Sequence, residues 1–278
     1  MSAPRESDDH AGDSGSDHGG SDHGGGDLKA MLRRLHLPTV RRLYPDLAIR
    51  AEAEGMSYHD FLEILIAEEI AHRAETRITR SVRKAKFPFL RTIEEFDFTF
   101  QTSVRLKMLG TLLGPELVSE GRCAILSGPP GRGKTHLGVA IAYRAIQNGF
   151  EARFTTADEL IGALSLAAQR GRLEETLEPY VHPHVLVVDE LGYQSYAADA
   201  ANVLFRVISQ RHLKQRSTIV TTNKPLAALG EVLHDADLAE AILDRLLEHG
   251  THYVLRGRSY RTRHHRLEEM NPPDQDAA

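Results

Sequence analysis

The chain has 278 residues, 41% apolar and 26% charged, which excludes a fibrous or wholly disordered protein and leaves room for one large or two modest domains. Its single cysteine, Cys123, excludes an internal disulfide framework and fits a reducing cytoplasm. The N-terminus has no apolar signal core and no run approaches about 18 apolar residues, so neither a cleaved signal nor a membrane span is expected and the chain reads as cytoplasmic. A net charge of −5 argues by itself against a nucleic-acid partner. The charge is unevenly spread, however: residues 1–27 hold seven acids against one arginine and residues 268–278 hold four acids, so the two ends carry −10 and the body between them +5.

Residues 1–27 repeat Ser, Asp, His and Gly with almost no apolar content and predict a disordered tail; His10, His18 and His23 read as part of that solvated tail rather than as metal ligands. From Leu28 the pattern is helical. Leu28, Met31, Leu32 and Leu35 share a face before Pro38 interrupts, and Tyr58, Phe61, Leu62, Leu65, Ile66 and Ile70 follow helical spacing behind a Ser57/Asp60 cap. Seven cations (Arg73, Arg77, Arg80, Arg83, Lys84, Lys86, Arg91) then fall within nineteen residues. On the residues alone this stretch is equally a solvated linker or a phosphate-contacting arm.

From about residue 120 short, continuously apolar runs alternate with helical segments: CAILSG, RFTT, VLVVD, STIVTT and HYVLRG. Such runs suit parallel strands covered on both faces and predict a three-layer α/β domain. The first leads into Gly128-Pro129-Pro130-Gly131-Arg132-Gly133-Lys134-Thr135, a complete phosphate-binding loop between strand and helix. Lys134 is expected to reach the β- and γ-phosphates and Thr135 to ligate Mg²⁺. The third run ends in Asp189-Glu190: Asp189 for the Mg²⁺ shell, Glu190 to orient or deprotonate an attacking water. Guanine selectivity is unsupported, because Asn223-Lys224-Pro225-Leu226 has Leu where a base-reading carboxylate would stand. A water-activating Glu190 favours hydrolysis over phosphoryl transfer. Asn223, at the end of the fourth run, is either a turn residue or a sensor of the γ-phosphate and lytic water.

The order GPPGRGKTHL, VLVVDELGY, STIVTTNKP, AILDRLLEHG and GRSYR closely resembles the IstB-like ATPases. These are helper proteins of a class of bacterial insertion sequences and AAA+ proteins close to the DnaC-type helicase loaders. The resemblance covers roughly residues 28–266 and is most specific in Asp189-Glu190-Leu191-Gly192-Tyr193 and Asp244-Arg245-Leu246. It implies a P-loop AAA+ domain with a five-stranded parallel sheet behind a small all-α N-terminal domain. ATP binding, Mg²⁺-dependent ATP hydrolysis, DNA binding and cooperation with a transposase are implied with it. Carried onto this chain, it keeps the roles of the loop through His136 and of Asp189 and Glu190, makes Asn223 the sensor, and makes Arg245 the arginine inserted into a neighbouring subunit's ATP site. Read without the resemblance, Arg245 is a surface cation on an amphipathic helix.

The implied organisation is a tail over 1–27, a helical domain with basic linker over 28–92, an AAA+ ATPase domain over 93–267 and an acidic tail over 268–278. The chain ends soon after its last strand, so no C-terminal helical lid and no sensor-2 residue are expected. The run Arg256, Arg258, Arg261, Arg263, His264, His265 and Arg266, interleaved with Tyr260, reads either as a solvated strand end or, beside residues 73–91, as a second DNA-tracking stretch with little base specificity. The expected whole is an ATP-dependent DNA-binding helper that self-associates on DNA and works with a transposase, with a DnaC-like replicative helicase loader as the alternative.

Overall fold

The computed structural model describes residues 25–193 and 196–262. The tail expected over 268–278 and residues 1–24 of the tail expected over 1–27 lie outside these residues, while its last three residues begin a helix. Two compact units divide the chain, Met1–Glu75 and Thr76–Ala278.

In the first unit α1 (Gly25–Arg34) and α2 (Pro38–Glu54) precede α3 (Tyr58–Ala85), whose N-terminal part belongs here. Leu32, Val40 and Leu65 form its small core, with Leu37, Leu43, Tyr44, Leu47 and Phe61 packed around them. Pro38 opens a helix as well as interrupting one, because proline at the first helical position gives up an N–H that has no intrahelical partner. Buried Glu69 accepts from the Thr39 and Val40 N–H groups at 2.8 and 3.2 Å, satisfying that helix end from another helix. The Ser57 cap expected for α3 is formed: its Oγ accepts from Asp60 N–H at 3.1 Å.

The second unit starts earlier than the expected boundary at 92/93. Ile78, Val82 and Ala85 on the last turns of α3 pack with a core of the sheet domain, while Arg77, Arg80, Arg83 and Lys84 face solvent. Four of the seven cations therefore lie on the outer face of a helix whose inner face is apolar, and Lys86 and Arg91 follow that helix.

After α4 (Gly110–Leu113) and α5 (Glu116–Ser119) the α/β alternation begins with β1 (Cys123–Ser127), α6 (Lys134–Gln147), β2 (Ala152–Thr156), α7 (Ala157–Gln169) and α8 (Leu173–Val181). It continues with β3 (Val185–Leu191), α9 (Ala200–Leu213), β4 (Ser217–Thr222), α10 (Leu229–Leu233), α11 (Ala236–Glu248) and β5 (Gly250–Val254). The five strands are parallel, in the order β2-β3-β4-β1-β5. Alternate side chains of each strand enter opposite cores, as the pleat requires. Ala124, Leu126, Val185, Val187 and Ile219 pack with α6, whereas Ile125, Leu186, Val188 and Val220 pack with α7, α9 and α11. Burial on both faces of β1, β3 and β4 explains why those strands read as unbroken runs, whereas β5 at the sheet edge is largely exposed. Thr156 closes a reciprocal capping box with Glu159 and starts α7 directly from β2. Among the described residues no helix follows β5, and none is long and apolar enough to cross a membrane.

Candidate functional site

In a parallel sheet every strand delivers its C-terminal end to the same edge. Here β1 runs into the loop over 128–133, β3 carries Asp189 and Glu190 near its C-terminal end, and β4 leads to Asn223. Since β4 lies between β1 and β3, Asn223 emerges between the loop and the two acids. Their common edge opens into a cleft of about 690 Å³, lined by Pro130, Gly131, Arg132, Gly133, Lys134, Thr135 and His136 from the loop and by Glu190, Thr221 and Asn223 from the neighbouring strand ends. Gly128 and Pro129 do not line it; their carbonyls accept from Lys134 Nζ at 2.7 and 3.0 Å.

Thr135 and Asp189, 54 positions apart in sequence, are in contact: the Thr135 hydroxyl lies 3.0 Å from both carboxylate oxygens. Two hard oxygen donors side by side are what Mg²⁺ takes up. Burial raises the Asp189 pKa; hydrogen bonds from Thr221 and Thr135 and the charge of Lys134 oppose that shift. Burial also lowers the Lys134 pKa; Asp189 pulls it up while Arg261 and Arg132 push it down. Arg132 Nε and Asn223 Oδ1 are buried with no hydrogen-bond partner. Leaving such groups open costs about 1–3 kcal/mol each. An open donor and an open acceptor on one cleft fit a ligand that carries anionic oxygens and a water.

Glu190 is exposed toward the cleft and holds φ at +61°, a left-handed conformation that costs a non-glycine residue about 1–2 kcal/mol. It coincides with a register shift between Val188 and Leu191 in the β3–β4 ladder, so the backbone turns there and re-aims the carboxylate. What holds the turn is Thr221, a residue that sequence reasoning passed over. Its hydroxyl accepts from the Glu190 N–H at 3.0 Å and donates to Asp189 Oδ1 at 2.5 Å. One buried hydroxyl thus orients both acids. Nothing in STIVTTN distinguishes Thr221 from any β-branched strand residue except its place two positions before Asn223. The Thr221→Val variant is expected to lose roughly 10- to 100-fold in turnover while still binding nucleotide, and Thr221→Ser to recover most of the loss; unchanged phosphate release by the Val variant would remove Thr221 from the site.

Arg245 lies outside the cleft. Near the end of α11, its guanidinium sits 4.6 Å from the Phe205 ring centroid and donates to Ala241 O at 2.9 Å. His136 is held at the cleft edge by Thr92 O, 2.9 Å from Nε2, and by an edge contact with Phe96. The cleft wall also takes in Phe89, Phe96 and Phe100 before β1, which sequence reasoning did not single out, and Arg258, Tyr260 and Arg261 after β5, which it read as a solvated strand end or a DNA-tracking stretch.

A family profile described as "IstB-like ATP binding protein" matches residues 30–268, most of the chain. The chain belongs to the IstB-like family. Among its relatives is the insertion sequence IS5376 putative ATP-binding protein of Geobacillus stearothermophilus, 38% identical over 87% of this chain and 96% of that protein. Another is the insertion sequence IS21 putative ATP-binding protein of Pseudomonas aeruginosa, 36% identical over 86% and 90%. Among solved structures, DnaI superposes with a TM-score of 0.51 at 21% identity, over 60% of this chain and 91% of that one. That likeness shows a shared fold. The IstB-like match spans both compact units, so the helical N-terminal unit and the sheet domain belong to one family architecture.

Proposed function

We propose that this IstB-like protein is an ATPase that binds DNA and assists a transposase, assembling on DNA with ATP hydrolysed between subunits. The observation that supports it most is the meeting of Thr135, Asp189, Glu190 and Asn223 on one cleft, a complete hydrolytic set in a chain whose relatives are named as insertion-sequence ATP-binding proteins. The loop backbone and Lys134 bind the triphosphate. Thr135 and Asp189 would hold Mg²⁺, which neutralises phosphate charge when bound. Glu190 takes a proton from a water whose oxygen attacks the γ-phosphorus; the bond to the β-γ bridging oxygen breaks, and ADP and phosphate leave. Asn223 Oδ1 is placed to accept from that water.

Arg245 acts on the neighbouring subunit's ATP. Its contact with Phe205 is worth about 0.5–1 kcal/mol, small enough to give up for a pairing with transferring phosphate. DNA binding draws on the solvent face of α3, where Arg77, Arg80, Arg83 and Lys84 have no ion-pair partner among the described residues.

The test is steady-state phosphate release with and without duplex DNA. DNA is expected to stimulate the wild type. The Arg245→Ala variant is expected to bind ATP normally and to lose the stimulated rate by roughly 10³-fold or more. Normal DNA-stimulated turnover by that variant would refute the trans-acting site, and tight capture of a replicative helicase without duplex binding would point to the loader instead.

A further inference from the structure

After β5 the chain folds back across the phosphate-binding loop. Leu255 N–H donates to Ser127 O at 2.7 Å and Tyr260 N–H donates to Gly131 O at 2.9 Å. The fit leaves no room for a side chain at Gly128 or Gly131. A Cβ on Gly128 would stand 2.1 Å from Leu255 O, and one on Gly131 would stand 2.1 Å from Ser259 Oγ. Both glycines also hold positive φ, 142° and 77°, so two of the loop's glycines serve the strap above them as well as the approach of phosphate. Tyr260 meets Phe100 edge-on at 5.3 Å, which joins the strap to the aromatic wall of the cleft.

Strap and loop together surround the cleft with four cations, Arg132, Lys134, Arg258 and Arg261. Of the acids that line it, Glu95 is paired with Arg91 at 3.6 Å and Asp97 accepts from Thr99 and Phe100 N–H groups at 3.0 Å. Glu190 is the carboxylate left for chemistry. Arg132, Lys134, Arg258 and Arg261 therefore bring four like charges to one cleft. Such crowding is stabilised by a polyanion and by little else.

The geometry points to Arg258 and Arg261 as phosphate-binding residues of the same subunit's nucleotide site, supplied by a strap after the last strand. This rests on the nucleotide reading above. A guanidinium offers two parallel donors to phosphate oxygens, which a lysine does not. The assignment moves these two arginines from the DNA-tracking stretch into the ATP site.

The test is a titration of the full chain with a fluorescent ATP analogue in Mg²⁺, at several salt concentrations. The Arg258→Ala/Arg261→Ala pair is expected to bind roughly 10- to 100-fold more weakly with a shallower salt dependence, and the Arg→Lys pair to recover only part of the loss. Lys107→Ala, an exposed cation away from the cleft, is expected to match the wild type. Should the alanine pair fail to fold, the Arg258→Gln/Arg261→Gln pair carries the same test. Wild-type ATP affinity in the folded double variant, with or without a loss of DNA affinity, overturns the proposal. A wild-type chain that takes up no ATP overturns the nucleotide reading itself and the strap assignment with it.

Discussion

Replacing Glu190 by Gln is expected to stop turnover while ATP continues to bind. Gln keeps the shape of the side chain and the backbone contacts that hold it: the N–H bonded to Thr221 Oγ1 at 3.0 Å and the carbonyl accepting from Tyr193 N–H at 3.2 Å. It removes the one group positioned to accept the proton of the attacking water, and a general base contributes about 10²- to 10⁴-fold. On the proposed reading the phosphate groups meet the loop, Lys134, Arg258 and Arg261, none of which this substitution alters, so affinity is expected to hold within a few-fold. Phosphate release measured beside equilibrium nucleotide binding checks both halves. Turnover within a few-fold of the wild type would mean that the base lies elsewhere, and loss of binding would mean that Glu190 shapes the pocket instead of acting in it.

The largest stability effect is expected at Arg211, far from any motif. Its side chain is fully buried in α9, and burial pushes its pKa down to about 9, which leaves it charged at neutral pH. No carboxylate pairs with it among the described residues. Instead Nη1 donates to Tyr180 O and Pro183 O at 2.8 and 2.9 Å, Nη2 to Ser217 O and His184 O at 2.5 and 3.2 Å, and Nε to Thr218 Oγ1 at 3.0 Å. These acceptors lie at the end of α8, in the turn before β3 and at the start of β4, so one guanidinium fastens the N-terminal edge of two central strands. Arg211→Met fills similar volume but strands several buried carbonyls at about 1–3 kcal/mol each. A net loss of roughly 3–5 kcal/mol is expected, a large share of the roughly 5–15 kcal/mol that holds a domain together. Urea unfolding reads it directly, with Arg211→Lys expected to fall between. A Met variant within about 1 kcal/mol of the wild type would show that water or relaxation satisfies the carbonyls.

Much of the site was legible because its chemistry is written in contiguous residues. Glycines at fixed spacing before Lys134-Thr135 encode a backbone shape, and an apolar run ending in Asp189-Glu190 encodes a buried strand with its acids at the edge. Asn223 was legible only in company, since one amide after a strand is also a common turn. The N-terminal organisation was read less well. A helix over 38–54 was missed because Pro38 reads equally as a stop and a start, and the boundary expected at 92/93 moved into α3 because Ile78 and Val82 look no different from surface residues until a core is found beneath them. Thr221 and Arg211 had no signal: both act on partners about 30 positions away in sequence, and spacing along a chain does not report such pairs.

By itself the sequence determined the phosphate loop, the two acids, the parallel α/β class and the family, because each depends on local backbone geometry and on apolar periodicity that neighbouring residues carry. Only the tertiary structure decided how they combine. Inserting β4 between β1 and β3 brings Thr221 and Asn223 to the acids, and the turn back after β5 lays Arg258 and Arg261 over the loop. The first follows from pairing β4 with both β3 and β1, the second from pairing β5 with β1, and burial of the central strands on both faces makes that order stable.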